Sequence, residues 1–135
     1  VSDARELFHL QEGYEREEVL LPGRSFQPQA AFQALKQSIR DQIVLYATLQ
    51  GQTVAKAATN ARGMHYDQIG GVYTEPRYRN HRIARSLMLQ LLREIGEAGR
   101  GASLFVKKHN EPAIALYRRL GFDIRDDFRI SYYLG

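Results

Sequence analysis

The chain has 135 residues, a formal net charge of +4 and no cysteine, which is enough length for one domain with its own core and excludes disulfides and thiolate metal sites. No apolar run approaches the roughly 20 residues of a membrane span and no signal-peptide pattern opens the chain, so no membrane partner is expected and the cytoplasm is the expected compartment. The chain starts on Val1 rather than Met and enters a helical pattern at once. We therefore expect its single domain, 1–135, to be the C-terminal part of a longer protein.

Taken in order, Ser2 and Asp3 can cap a first helix in which Leu7, Leu10 and Tyr14 recur at helical spacing, ending near Val19. The stretch LLPGRSFQP reads as a loop. A second helix follows from Gln29 to about Arg40, with Phe32, Leu35 and Ile39 on one face. Two runs, 42–49 and 53–61, flank Gln50, Gly51 and Gln52 as a hairpin. A third strand, 66–75, is interrupted by Gly70 and Gly71, a pair that marks a bulge or a close approach by another backbone or ligand.

From Ile83 the apolar residues fall at 83, 84, 87, 88, 91, 92 and 95, a long amphipathic helix that ends among Gly96 to Gly99. A buried strand is expected over 102–107. Asn110 caps the next helix, Pro112 sits in its first turn and Gly121 stops it. The tail, 122–134, reads as two strands hinged at Asp126 and Asp127. Two helices, three strands, then helix, strand, helix and two strands make one mixed α/β domain.

Between the third strand and the long helix lies RYRNHRIAR, residues 77–85. Its Arg77, Arg79, Arg82 and Arg85 are unaccompanied by any acid and equal the chain's whole net charge. A strand running into a helix aims the first helical N–H groups past the strand's end, where the macrodipole favours an anion. Arg79, Arg82 and Arg85 add charge-assisted donors suited to phosphate. The expectation is a phosphate or pyrophosphate site at 79–85, with a solvated basic helix start as the bland alternative. Further on, Asn110 and Tyr117 lie two helical turns apart; a helical tyrosine beside a cleft can donate a proton, although most such residues are core.

Together, GGVYTEPRYRNHRIARSLM and the pattern N-x-P-A-x-x-L-Y-x-x-L-G-F resemble the GNAT superfamily of acyl-CoA-dependent N-acyltransferases, with the order of elements agreeing over residues 29–134. The resemblance implies an α/β fold whose mixed, mostly antiparallel twisted sheet is flanked by helices. It also implies acetyl-CoA as co-substrate and a loop, Arg/Gln-x-x-Gly-x-Gly/Ala, that binds the coenzyme A pyrophosphate. Here Arg79 takes the Arg/Gln place, Arg82 the first Gly place and Ala84 the Gly/Ala place, with Asn80, His81, Ile83 and Arg85 around them. The backbone at Val72 and Thr74 would pair with pantetheine like an added strand, Asn110 and Tyr117 would line the thiol end, and Tyr117 would protonate the departing thiolate.

Two departures stand out. Arg82 replaces a glycine, for which we expect an ordinary helical conformation with Asn80 and His81 absorbing the odd turn. The strand that usually opens the family's fold has no counterpart.

The implied reaction moves an acetyl group directly to a primary amine of a small molecule or amino acid. A lysine-like amine, with a reference pKa of about 10.4, must first lose a proton. In the protein-lysine-acetylating branch a Glu serves as base, but the matching position holds Gln68; Asp67, Glu75, Glu17, Glu18 and ordered water remain candidates, each acid reading more readily as a solvated surface group. Tyr14 and Tyr46 read as core or cleft wall, and Tyr132 and Tyr133 as packing of the last strand. His9, His65, His81 and His109 lack metal-ligand spacing, so no metal is expected. Competing readings are an acyl-CoA-binding regulatory module without turnover and a protein N-acetyltransferase. A nucleic-acid partner is disfavoured because the excess charge is confined to one loop without interleaved exposed aromatics. The oligomeric state stays open, a homodimer included.

Overall fold

The computed structural model describes residues 2–108, 110–124 and 129–132. Helix α1 spans Ser2–Tyr14 and passes into a π-helical turn, Glu15–Val19, and α2 spans Pro28–Asp41. Strands β1 (Val44–Leu49), β2 (Gln52–Arg62) and β3 (Tyr66–Thr74) follow. A short 3-10 turn, Pro76–Tyr78, leads to α3 (Ile83–Glu97), β4 (Gly101–Phe105), α4 (Glu111–Arg119), β5 (Asp123–Ile124) and β6 (Arg129–Tyr132). The two tail strands match the expectation; their expected hinge, Asp126 and Asp127, lies outside the described residues.

The sheet has the order β1-β2-β3-β4-β6-β5. Its neighbours run antiparallel except β3 and β4, which are parallel and are joined by the crossover helix α3. The hairpin between β1 and β2 turns on Gln50 (φ 51°) and Gly51 (φ 80°), with Leu49 paired to Gln52. Two positive φ angles give the turn whose twist matches the flanking strands. Among the described residues no strand precedes α1, and β1 forms the sheet's edge.

Adjacent strand residues face opposite sides, and each side has its own core. On one, Met88, Leu91 and Ile95 of α3 are fully covered and pack with Ala57, Ile69, Leu104, Tyr117 and Phe122; each such aliphatic side chain contributes roughly 1.5 to 3 kcal/mol by leaving water. On the other, Ala4, Leu7 and Leu10 of α1 meet Leu35 of α2, with Val44 and Tyr73 against them. A Cβ at Gly13 would lie 2.5 Å from the Tyr73 hydroxyl. That glycine therefore lets α1 lie close on β3, which fixes where the chain can go next.

The first helix does not continue unchanged to Val19 as its apolar spacing suggested. After Tyr14 the hydrogen-bond span lengthens, and Leu20 N–H donates to Glu15 O at 2.7 Å. Such turns insert one residue and re-aim the side chains that follow. Here they carry Glu15, Glu17 and Glu18 over the end of the sheet. Strand β4 also stops at Phe105, two residues short of the expected end.

Candidate active site

The site is built on β3. Its pairing with β4 runs from Tyr66 opposite Gly101 to Ile69 opposite Leu104 and stops, while β2 stays paired to β3 as far as Thr74. Over 70–74 the edge of β3 that faces β4 thus has no ladder partner among the described residues. A free edge of this kind can take an extended ligand as an additional strand, and Val72 and Thr74 lie on it.

The glycine pair makes the irregularity predicted for it. The β2–β3 register passes from Ala58 opposite Gly70 to Lys56 opposite Tyr73, so that Ala57 faces two residues of β3, and Gly71 has φ 69°. This bulge turns the Gly71 peptide out of the ladder. Its carbonyl accepts a hydrogen bond from Lys56 Nζ at 2.7 Å, and a Cβ on Gly71 would stand at that same distance from the amine. Only glycine leaves the room that Lys56 uses.

At the far end of β3, the chain turns into α3. Ser86 N–H is the first in the helix to find a partner, Arg82 O at 3.1 Å. The amides of Ile83, Ala84 and Arg85 precede it and remain available to an anion. Arg82 and Arg85 are exposed and make no ion pair among the described residues. His81 instead folds back, its Nδ1 lying 2.9 Å from Arg79 O.

Two of the expected features of this loop come out differently. Arg82 is not in an ordinary helical conformation: it has φ 62° and ψ 18°, and Asn80 has φ 68°. The loop reverses direction within these residues, and the left-handed region that accomplishes this costs a non-glycine residue about 1 kcal/mol. At the place of the family pattern's glycine, Arg82 thus takes a conformation that glycine adopts without strain. Arg79, meanwhile, is committed elsewhere: its Nε donates to Thr74 O at 2.9 Å and its Nη2 to both Glu17 oxygens at 3.1 and 2.9 Å. Burial acts to raise the Glu17 pKa, but the hydrogen bonds from Arg79 and Tyr73 outweigh it and hold the carboxyl below its usual range. The pair fastens the π-helical turn to the end of β3, whereas the side chains of the loop with no acid partner among the described residues are Arg82 and Arg85.

The opposite wall comes from α1, β2 and α4. Asn110 caps α4 by accepting from Ala113 N–H at 3.3 Å, and two turns later Tyr117 is buried against Phe122, ring centroids 5.8 Å apart. Burial, reinforced by the nearby Glu18 and Tyr14, pushes the Tyr117 phenol up to about 12. It is held as a neutral phenol. Tyr14 forms part of the same wall: it shares a hydrogen bond with the Gly71 backbone, and burial raises its pKa despite that bond. Lys56 Nζ lies 5.2 Å from the Tyr14 ring. The lysine is 3% exposed, and burial lowers its pKa to about 8 even though Glu15 pulls the other way. Glu18 reaches across toward the end of β4, 4.0 Å from Lys107 Nζ.

Of the other acids, Asp67 is no surface group. It is fully buried at the start of β3, 2.8 Å from Arg100 Nε and 3.4 Å from Arg62 Nε, far along the strand from its free half. Glu75 sits 3.2 Å from His9 Nε2, beside a cavity of about 420 Å³ lined by those two residues with Tyr73, Pro76 and Arg77. Tyr46 faces neither core nor cleft; it is 41% exposed on the edge strand. The side chain of Tyr132 and all of Tyr133 and His109 lie outside the described residues. Lys56 and the π-helical turn were missed from sequence. The lysine did leave a trace, as the one charge in the otherwise apolar and small-residue run TVAKAATNA.

With this geometry in view, comparison with known proteins is informative. The acetyltransferase (GNAT) family matches residues 5–122. No curated protein matches the sequence. Among solved structures, the PaiA N-acetyltransferase of Thermoplasma acidophilum in complex with coenzyme A is similar at TM-score 0.78 and 15% identity, covering 98% of this chain and 94% of that one. The ribosomal-protein-alanine N-acetyltransferase of Brucella melitensis reaches TM-score 0.79 at 21% identity, over 98% and 95% of the two chains. The ribosomal-protein-S18-alanine N-acetyltransferase of Escherichia coli reaches 0.73 at 18% identity, over 100% and 92%. At these identities the likeness is one of fold.

Proposed function

This chain belongs to the acetyltransferase (GNAT) family, and from that premise we propose that it transfers an acetyl group from acetyl-CoA directly to a primary amine of a small molecule or amino acid. The observation that carries the reading is the conjunction on β3. A strand whose half 70–74 has no partner on its β4 side among the described residues leads straight to a helix start with available amides and two arginines that lack acid partners among those residues, and a neutral phenol stands on the facing helix.

The donor set fits the co-substrate. The amides of Ile83, Ala84 and Arg85, with the guanidinium groups of Arg82 and Arg85, suit a pyrophosphate. Arg79 acts on the same loop from behind, by fixing it to Thr74 and Glu17. Val72 and Thr74 offer backbone groups to the pantetheine amides. Acetyl-CoA, when bound, supplies an activated acyl carbon and a thiolate leaving group.

The protein's part is then positioning and proton management. A backbone N–H on the free half of β3 would stabilise the developing oxyanion. Tyr117 donates its proton to the leaving thiolate; a phenol with a pKa near 12 is fully protonated at neutral pH and so always ready to donate. Direct transfer needs no nucleophilic side chain to carry the acetyl group.

Calorimetric titration of the protein with acetyl-CoA, with ATP as a phosphate-bearing control, tests the reading. Saturable binding that ATP does not match is expected. Equal binding of both, or none of acetyl-CoA, would overturn it.

A further inference from the structure

Lys36, Lys56, Lys107 and Lys108 are the lysines of this chain, and Lys107 and Lys108 are exposed while Lys56 is 3% exposed. A buried ammonium ordinarily has a carboxylate against it. Lys56 makes no ion pair among the described residues; its contacts are the Gly71 carbonyl at 2.7 Å and the Tyr14 ring at 5.2 Å. Its place is also specific, because Gly71 directly precedes Val72 on the free edge of β3 and the bulge holds the amine there. A primary amine, the chemical class expected of the acceptor, is thus built into the wall beside the position where the thioester would lie.

We propose that Lys56 is itself an acetyl-acceptor site, taking the acetyl group of bound acetyl-CoA when no external amine occupies the cleft. This rests on the reading of the chain as an acetyl-CoA-dependent transferase. The flexible four-carbon stem lets Nζ leave the Gly71 carbonyl and swing toward the edge. Burial helps in a second way, since a lysine held near pKa 8 has a far larger unprotonated fraction at neutral pH than one in water. The unprotonated nitrogen attacks the thioester carbonyl, an N–C bond forms and the C–S bond breaks. Tyr117 protonates the departing thiolate, and the proton shed by the nitrogen returns to Tyr117. The products are Nε-acetyl-lysine and the coenzyme A thiol. The acetylated side chain is neutral, so the cost of burying a charge at this point disappears, while its amide N–H can still donate to Gly71 O.

The test is peptide mass spectrometry after timed incubation of the purified protein with acetyl-CoA and, separately, with S-acetyl-N-acetylcysteamine, which carries the same thioester without the nucleotide. Acetylation of Lys56 by acetyl-CoA should outpace its acetylation by the short thioester by at least about tenfold, the least that holding the two groups together would give, and one thiol should be released per acetyl group gained. Lys107 and Lys108, being exposed, should show no such preference. Calorimetric binding of acetyl-CoA with Lys56 left unmodified would overturn this inference and leave the proposed function standing. Absence of binding would overturn both. Equal labelling of Lys56 by the two thioesters would reduce it to ordinary amine reactivity and overturn the inference alone.

Discussion

Replacing Lys56 by methionine, which has similar length and no charge, should make the protein more stable at neutral pH. Burial brings the amine from 10.5 to about 8, and at about 1.4 kcal/mol per pKa unit the folded state bears a penalty of about 3 kcal/mol wherever the group is protonated in both states. The substitution also leaves Gly71 O without its donor, a loss of about 1 to 2 kcal/mol. The net expectation at pH 7 is a gain of about 1 to 2 kcal/mol. The sharper readout is the pH dependence. The folded-state pKa of this base is depressed, so between about pH 8 and 10.5 the unfolded chain holds the extra proton, and wild-type stability rises with pH through that window. Lys56→Met removes this rise. Urea denaturation of both proteins at pH 7 and at about pH 9.5 should therefore show the gap between them shifting by about 2 kcal/mol in favour of wild type at the higher pH. A gap independent of pH, with the methionine variant the weaker at both, would show that Gly71 O and the Tyr14 ring satisfy the ammonium fully and that the burial argument is wrong.

Further outcomes follow from the same geometry. Arg85→Ala should weaken acetyl-CoA binding by about 1.5 to 3 kcal/mol, the scale of a charge-assisted hydrogen bond, whereas Arg79→Ala, which removes a guanidinium already paired with Glu17, should weaken it less; calorimetry that ranks the two in the opposite order would return the phosphate role to Arg79. Tyr117→Phe should reduce turnover by about a hundredfold or more with little change in acetyl-CoA affinity, and undiminished turnover would assign the thiolate's proton to water. Asp67→Asn should destabilise the fold by about 3 kcal/mol, because it leaves Arg100 and Arg62 without the buried carboxylate they share; a thermal midpoint close to wild type would show that the amide keeps those contacts.

Much of this protein is written locally. The Gln50-Gly51 turn, the Asn110 cap and Pro112, the stripe from Ile83 to Ile95 and the bulge at Gly70 and Gly71 all depend on residues close in sequence, through φ preferences, capping and periodicity, and each is found where expected. The run of arginines before a helix likewise suggests, without reference to the rest of the chain, the anion site proposed above. What the sequence could not determine is which of those charges is free. Arg79 and Glu17 are 62 residues apart, and only the packing of α1 on β3, permitted by Gly13, brings them together. The conformation of Arg82 was decided the same way: the loop must reverse between the end of β3 and the start of α3, and closure imposed a left-handed residue where propensity argued for a helical one. Asp67 and Lys56 show the same principle in opposite senses. Both are charged residues in β runs and both are buried, but tertiary structure gave Asp67 two arginines and gave Lys56 a carbonyl and a ring, with no ion pair among the described residues. Local chemistry sets which element a residue joins; long-range contacts set whether its charge is neutralised or held ready.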